Sequence, residues 1–360
     1  MPPKRILVVD DSALMRRLVS RALDGQPDFV VDGTAGDGEA ALAAIERRVP
    51  DLVTLDVEMP CMDGLATLTH IRQSWPRLPV IMCSSLTARG AAVTLDALTR
   101  GASDYVTKPS SATSLDANLK AFGDELARKI RALLRLGEPG QTAVPAAAPV
   151  PPRPARAGRH RPRLLAIGAS TGGPNALAEV LRYLPADLPV PVVIAQHMPP
   201  VFTRLLAERL SGICRLPVRE GSEGTPLRPG AVWLAPGDHH MLIGSRNGQP
   251  ELHLDQGPPV NFCRPAVDPL LQSAADCYGG DVLALILTGM GRDGQQGCRR
   301  LHALGASIYA QDEASSVVWG MPGAVVQAGL AQRVLPLADI GPAIVARLTS
   351  AAGEVDRHVG

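Results

Sequence analysis

The sequence predicts an α/β protein of two domains joined by a linker. Short apolar runs of strand length alternate with helical periodicity over residues 5–120, and the same alternation resumes at residue 163. Residues 137–163 between them are rich in Pro, Ala and Arg, which is typical of an extended linker. We therefore assign residues 1–122 to a first domain, 123–162 to a helix end and linker, and 163–360 to a second domain.

The composition favours a globular cytoplasmic protein. A formal net charge of +1 gives no bias toward nucleic acid or a membrane surface. No apolar run approaches the roughly 20 residues of a membrane helix, and the first residues do not have the pattern of a signal peptide. The six cysteines include no Cys-x-x-Cys pair, which indicates reduced thiols. We expect neither nucleic-acid binding nor direct membrane insertion.

The first domain contains five strand-like runs, each followed by a helical pattern. The predicted strands are Arg5–Asp10, Phe29–Ala35, Asp51–Leu55, Pro79–Cys83 and Asp104–Thr107. The predicted helices are Ser12–Leu23 (with Leu14, Leu18 and Ala22 on one face), Gly38–Arg47, a segment around Leu65–Ile71, Ala91–Leu98 and Ser111–Leu136. This alternation predicts a doubly wound parallel sheet, in which ligands bind at the carboxyl ends of the strands.

Polar residues follow four of these strands. Asp10 and Asp11 end the first strand, Asp56 the third, Ser84 the fourth and Lys108 the fifth. Three carboxylates at one edge would repel one another unless a cation lies between them, and oxygen ligands suit Mg²⁺. A hydroxyl and a lysine suit the oxygens of a phosphoryl group, and an aspartate can be phosphorylated covalently.

With VVDDS, TLDVEMPCMDG, SSLT and DYVTKP, residues 5–120 resemble a response-regulator receiver domain. The resemblance implies a flavodoxin-like fold with Asp56 as the phosphoacceptor. It also implies a cis peptide between Lys108 and Pro109. The further implied roles are Mg²⁺ ligation by Asp10, Asp11, Asp56 and the backbone carbonyl of Glu58, and a switch formed by Ser84, Tyr105 and Lys108.

The second domain repeats the α/β alternation, with a mostly parallel sheet. The predicted strands are Leu164–Ile167, Val190–Gln196, Ala231–Leu234, Val282–Leu287 and Ala306–Ala310. The predicted helices include 202–210, Val267–Ala275, Met321–Gln327 and Leu337–Leu348. Met241–Ile243 and Glu251–Leu254 flank Asn247-Gly248, which is a hairpin signal.

A glycine-rich turn follows the first strand of this domain. Residues 168–172 match Gly-x-Ser-x-Gly, and Pro174 suits the first turn of a following helix. Ser170 is therefore a candidate nucleophile on a tight strand-to-helix turn. The alternative is a turn that binds an anion or nothing at all.

His197 and Asp293 also come just after apolar strands, so a parallel sheet would bring them to the same edge as Ser170. A serine needs a base, and the base needs an orienting acid. The chain order Ser, His, Asp differs from that of the α/β-hydrolases, so we do not expect the standard α/β-hydrolase fold.

Other histidines leave alternatives open. His239 and His240 are rival bases, although adjacent residues on an extended chain point in opposite directions. A metal site of Asp238, His240 and His253 is conceivable. Surface or packing roles are expected for His70, His160, His302 and His358.

The segments IGASTGGP, AQHMPP, APGDHH and LTGMGRDG resemble the catalytic domain of the chemotaxis protein-glutamate methylesterases, in which a receiver precedes the esterase. The resemblance implies Ser170 as nucleophile, His197 as general base and Asp293 as the orienting acid. It further implies that the backbone N–H groups of Thr171 and Met290 stabilise the oxyanion.

The resemblance implies hydrolysis of glutamate γ-methyl esters on chemoreceptors, with release of methanol, and deamidation of receptor glutamines. The esterase would need no cofactor, and Mg²⁺ would serve only phosphorylation of Asp56 by a chemotaxis histidine kinase. We expect that phosphorylation activates the esterase. A response regulator that binds DNA would need a basic recognition helix, and a nucleotide-binding domain would need a phosphate-loop motif. The sequence of the second domain contains neither feature.

Overall fold

The computed structural model describes residues 2–109, 115–136 and 161–349. They belong to two compact units that meet in sequence between Pro145 and Ala146. Most of the predicted linker, residues 137–160, lies outside the described residues.

The first unit is a five-stranded parallel sheet in the order β2-β1-β3-β4-β5. Its strands are β1 (Lys4–Val9), β2 (Phe29–Ala35), β3 (Leu52–Asp56), β4 (Val80–Ser84) and β5 (Asp104–Thr107). Its helices are α1 (Ala13–Leu23), α2 (Gly38–Arg47), α3 (Gly64–Ser74), α4 (Ala88–Thr99) and α5 (Leu115–Leu133). The predicted doubly wound sheet is confirmed, and its topological switch point lies between β1 and β3.

Side-chain caps explain where four of these helices begin. A hydroxyl or carboxylate at each N-cap accepts a hydrogen bond from the backbone N–H three residues later. These caps are Ser12, Asp37, Asp63 and Thr87.

The buried face of α1 differs from the predicted one. Val19 and Leu23 are buried, whereas Leu14 is 65% exposed. The predicted face is therefore wrong by one position. Leucines lie on two adjacent stripes of this helix, and only its packing against α5 decides which stripe is buried.

α5 belongs to the core of the first unit. Phe122, Leu126 and Ile130 are buried in the same cluster as Phe29. The Arg131 guanidinium lies 5.2 Å from the Phe29 ring centroid and pairs with Asp28 at 2.7 Å. These contacts join the last helix of the unit to the start of β2.

The second unit is built on a seven-stranded parallel sheet in the order β14-β13-β12-β6-β7-β9-β8. Its strands are β6 (Leu164–Ala169), β7 (Val192–Gln196), β8 (Val218–Glu220), β9 (Val232–Leu234), β12 (Val282–Ile286), β13 (Ser307–Gln311) and β14 (Arg333–Leu335). A separate antiparallel hairpin consists of β10 (His240–Arg246) and β11 (Gln249–Asp255).

The described residues of the second unit also form six helices. They are α6 (Gly173–Leu181), α7 (Pro200–Ser211), α8 (Val267–Tyr278), α9 (Gln295–Ala303), α10 (Met321–Gln327) and α11 (Leu337–Thr349). Sequence periodicity missed β8 and β14, which have three residues each, and α9, whose sequence QQGCRRLHA is mostly polar.

β6 lies at the topological switch point of this sheet. The strands β7, β9 and β8 extend the sheet on one side of β6, and β12, β13 and β14 extend it on the other. The carboxyl ends of β6 and β12 therefore border a crevice of the kind in which α/β sheets bind ligands.

Each of the six cysteines is a free thiol. No helix within the described ranges is both long and apolar enough to cross a bilayer. Among the described residues the cis peptide bond is Arg264–Pro265, so the expectation of a cis bond between Lys108 and Pro109 is wrong. Trans is the intrinsically preferred form of an X-Pro bond, by about 0.5–1 kcal/mol.

We expect Phe29→Ala to lower the free energy of unfolding of the first unit by about 3–5 kcal/mol, because it leaves a cavity in the core. Phe29 is 2% exposed, whereas Val30 on the opposite face of the same strand is 45% exposed. The matched control Val30→Ala should cost no more than about 1 kcal/mol. Hydrogen exchange of the β1 and β2 amides in the full-length protein measures both changes, and equal losses would contradict this core assignment.

Candidate functional site

An acidic cluster lies at the switch point of the first sheet. One carboxylate oxygen from each of Asp10, Asp11 and Asp56 lies within 4.8 Å of the others. The Lys108 ammonium lies 2.8 Å from Asp10 Oδ2 and 2.7 Å from Asp56 Oδ1. The structure thus brings together the three acids and the lysine that the strand-end pattern predicted.

Burial and ion pairing act against each other in this cluster. Burial raises the pKa of Asp56, and the nearby Asp10 adds to that effect, while Lys108 opposes it. For Lys108, burial lowers the pKa, but its hydrogen bonds to Asp10 and Asp56 outweigh burial and raise it. The carboxylates therefore depend on positive charge, and their hard oxygen atoms fit Mg²⁺.

The other predicted switch residues, Ser84 and Tyr105, lie on β4 and β5. Ser84 is buried, and its hydroxyl donates to the Ser85 carbonyl at 3.2 Å. Tyr105 is buried, with the Lys129 ammonium 4.9 Å from its ring centroid. The Glu58 N–H donates to Asp56 Oδ1 at 3.4 Å.

In the second unit, Ser170 lies on the tight turn between β6 and α6. Gly172 is in the left-handed region with φ of 77°, and the Gly173 N–H donates to the Ser170 carbonyl at 2.8 Å. A Cβ on Gly173 would lie 1.9 Å from Gln196 Oε1, so a larger residue there would displace the Gln196 side chain. The predicted strand–turn–helix context of Ser170 is confirmed.

His197 and Asp293 are in direct contact although they are 96 residues apart. His197 Nε2 lies 2.8 Å from Asp293 Oδ2, where the ring N–H donates to the carboxylate. The same carboxylate accepts three backbone N–H bonds: from Val267 at 2.5 Å, Asp268 at 3.1 Å and Gly294 at 3.0 Å. These donors lie at the N-terminal ends of α8 and α9, where a negative charge is stabilised.

Both members of this pair have perturbed acidities. Burial raises the pKa of Asp293, but hydrogen bonds from His197, Val267 and Asn261 outweigh burial and lower it to about 2. Burial lowers the pKa of His197, but Cys263 and Asp293 outweigh burial and raise it to about 10. The two pKa shifts are opposite in sign and have one cause, because each group stabilises the charge of the other.

The second ring nitrogen of His197 contacts Cys263, which sequence reasoning did not single out. Cys263 Sγ lies 3.3 Å from His197 Nδ1. Within the described residues no hydrogen bond joins the Ser170 hydroxyl to His197. The structure therefore brings His197 and Asp293 together and places Ser170 on the adjacent strand end.

Gln196 connects the Ser170 turn to His197. Its buried side-chain amide donates to the Ser170 carbonyl at 2.9 Å and to the His197 carbonyl at 3.4 Å. Asn261 has a similar role at Asp293, because its amide bridges Asp293 Oδ1 at 2.9 Å and Asp268 Oδ2 at 3.1 Å. Position at a strand end could have indicated Gln196, but no local pattern indicates Asn261 or Cys263.

The segment after β12 forms the opposite wall of the Ser170 turn. The Thr288 hydroxyl donates to the Thr171 carbonyl at 2.9 Å. A Cβ on Gly289 would lie 2.8 Å from Ser170 Cβ and 2.4 Å from Met321 Sδ. Among the described residues no backbone hydrogen bond from the Met290 N–H is found.

The rival histidines have structural partners. His240 is buried; its Nδ1 accepts from the Ala266 N–H at 3.2 Å, and its Nε2 lies 3.1 Å from the Pro258 carbonyl. His253 pairs with Glu223 at 2.8 Å. The acids of the first unit are the only group able to hold a metal among the described residues, so a metal site of Asp238, His240 and His253 is not formed.

Comparison with known proteins identifies the family. The sequence pattern of the CheB methylesterase family matches residues 165–344, and that of the response regulator receiver domain matches residues 6–120. The chain belongs to the CheB methylesterase family.

Its relatives include a protein-glutamate methylesterase/protein-glutamine glutaminase of Nocardioides sp., 49% identical over 97% of this chain and 96% of that protein. A second protein of that description, from Caulobacter vibrioides, is 48% identical over 97% of this chain and all of its own length. The crystal structure of the Thermotoga maritima CheB methylesterase catalytic domain is 41% identical and has a TM-score of 0.50, covering 51% of this chain and 97% of that domain.

We expect Gly289→Ala to lower the kcat/KM of the esterase on the order of 10²-fold, because the added methyl group displaces Ser170. The matched control is Gly212→Ala, since a Cβ there would meet only the Arg209 carbonyl at 3.4 Å. Ester hydrolysis by the two variants and the wild type tests this packing. A Gly289→Ala enzyme as fast as the control would show that Gly289 does not position Ser170.

Proposed function

We propose that Ser170, His197 and Asp293 are the catalytic residues of this enzyme, a protein-glutamate methylesterase and protein-glutamine glutaminase with a receiver domain. The observation that carries the proposal is the buried His197–Asp293 pair at 2.8 Å, at the carboxyl edge of the sheet where Ser170 ends the neighbouring strand. A base oriented by an acid beside a half-buried turn serine is the arrangement that acyl transfer requires.

The reaction begins when the Ser170 oxygen attacks the γ-carbonyl carbon of the methylated glutamate while its proton passes to His197. The tetrahedral intermediate then collapses, and the imidazolium gives its proton to the departing methoxide, which leaves as methanol. Water, deprotonated by the same imidazole, hydrolyses the acyl-enzyme to glutamate and free Ser170. A glutamine side chain follows the same path with ammonia as the leaving group.

Asp293 stabilises the imidazolium that forms in both steps. Its low pKa of about 2 keeps it ionised across the working pH range. The Met290 N–H and the Thr171 N–H serve as the oxyanion donors in this proposal, since they flank the Ser170 turn. Removing one such donor typically costs about 10²–10³ in kcat.

In the receiver domain, Asp56 is the phosphoacceptor, and a chemotaxis histidine kinase is the phosphodonor. The ligands that would hold Mg²⁺ are Asp10, Asp11, Asp56 and the Glu58 carbonyl. When bound, Mg²⁺ would neutralise negative charge during phosphoryl transfer. Phosphorylation adds roughly −1.5 to −2 charge beside Lys108. The resulting movement of Lys108, Ser84 and Tyr105 is the signal that activates the esterase.

The substrates in this proposal are methyl-accepting chemoreceptors, and the enzyme acts in the cytoplasm. The esterase step uses only side chains and backbone N–H groups, so it needs no cofactor. The domain boundaries proposed are 1–122 for the receiver, 123–162 for the helix end and linker, and 163–360 for the methylesterase. The matched ranges 6–120 and 165–344 support these boundaries.

We expect Ser170→Ala to lower kcat on the order of 10⁶-fold, because no other group can form the acyl-enzyme. Methanol release from a methylated chemoreceptor measures the loss. Ser222→Ala is the matched control, since Ser222 is exposed and bonds only to Thr225 among the described contacts. Normal turnover by Ser170→Ala would refute the proposed nucleophile.

A small-molecule phosphodonor with Mg²⁺ should increase methanol release by the wild type but not by Asp56→Asn, which lacks the carboxylate that accepts the phosphoryl group. Asp96→Asn, at an exposed acid of the same unit paired with Arg100, should respond as the wild type does. Chelation of Mg²⁺ should abolish the response. Activation of Asp56→Asn by the donor would show that the phosphoacceptor lies elsewhere.

A further inference from the structure

The imidazole of His197 has a partner at each nitrogen. Nε2 lies 2.8 Å from Asp293 Oδ2, and Nδ1 lies 3.3 Å from Cys263 Sγ. A neutral imidazole carries one N–H and one lone pair. The carboxylate accepts the N–H at Nε2, so Nδ1 is the nitrogen that gains or loses a proton, and it faces Cys263 Sγ.

We propose that Cys263 is the resting proton partner of His197 and controls when Nδ1 is available to accept the Ser170 proton. The inference rests on the proposed function in assigning Ser170 and His197 to catalysis. In the resting site the proton shared by Sγ and Nδ1 lies on Nδ1, so the ring is an imidazolium beside a negatively charged sulfur. Ser170 must replace Cys263 at Nδ1 before it can attack a substrate. Cys263 is thus a positioning residue that acts through His197.

The loop that carries Cys263 is fixed on the same carboxylate that holds the imidazole. Val260 and Cys263 exchange backbone hydrogen bonds at 3.0 and 2.9 Å, which closes a tight turn. Within that turn Asn261 has a φ of 51°, and its amide donates to Asp293 Oδ1 at 2.9 Å. Asp293 therefore positions both the His197 ring and the Cys263 thiol, which maintains the contact between Sγ and Nδ1.

The charged and titratable groups around the His197 ring determine whether its pKa is raised or lowered. Asp293 faces Nε2 and Cys263 faces Nδ1, while Asp268 lies behind Asn261 on α8. Burial lowers the pKa of His197, and Cys263 and Asp293 raise it to about 10. A raised pKa means that the ring keeps its proton to higher pH, so removal of Cys263 should free the base at lower pH.

The first test is the pH dependence of kcat/KM for methyl ester hydrolysis by the full-length enzyme. We expect the midpoint of the acidic limb to fall by at least about one pH unit in Cys263→Ser and Cys263→Ala. Cys277→Ser is the matched control: its thiol is also half-buried, but it bonds to the Gly244 carbonyl and should leave the midpoint unchanged. A lower kcat/KM at every pH, with the midpoint of the acidic limb unchanged, would show that Cys263 contributes only packing and would overturn the proposal.

The second test does not depend on substrate. Titration of the His197 ring by NMR, with its signal assigned by loss in His197→Gln, should show a lower pKa in both Cys263 variants than in the wild type. The same pKa in all three proteins would overturn the proton partnership even if the esterase is active. If the ring pKa falls but the wild type releases no methanol, the proposed function fails while the partnership between Cys263 and His197 stands.

Discussion

The catalytic unit depends on keeping one buried carboxylate fully hydrogen-bonded. Asp293 is almost completely removed from water, where an unpaired charge would cost several kcal/mol. Its hydrogen-bond donors come from different parts of the chain: His197 after β7, Asn261 in the loop before α8, the first turn of α8, and the backbone at the start of α9. Satisfying this single charge therefore brings together the elements that form the site.

Each unit holds buried carboxylates at the switch point of a parallel sheet. A different cationic side chain stabilises the carboxylate charge in each unit. In the first unit the Lys108 ammonium lies between Asp10 and Asp56, a compact charge that a metal ion or a phosphoryl group can oppose or replace. In the second unit the ring of His197 faces Asp293 through one nitrogen, and its second nitrogen can still accept and donate a proton. The first arrangement suits a switch that depends on added charge, and the second suits proton transfer.

Much of the fold followed from local patterns. Strand runs and helix caps are short-range features, so the strand-end positions of Asp10, Asp56 and Lys108 could be predicted before their contacts were seen. The prediction failed where local signals are weak or ambiguous. Two stripes of α1 are apolar, and the polar α9 is a helix because Asp268 and the packing of α8 stabilise its first turn.

The sequence by itself determined the alternation of elements, the two families of motifs and the placement of Ser170, His197 and Asp293 after apolar strands, because these depend on residues close together in the chain. Only the tertiary structure decided which atom faces each nitrogen of His197. The contact with Cys263 joins residues 66 positions apart, and the bonds from Gln196 depend on a glycine-rich turn. Such contacts arise from the path of a loop and the fit of neighbouring strands, so no periodicity or motif records them.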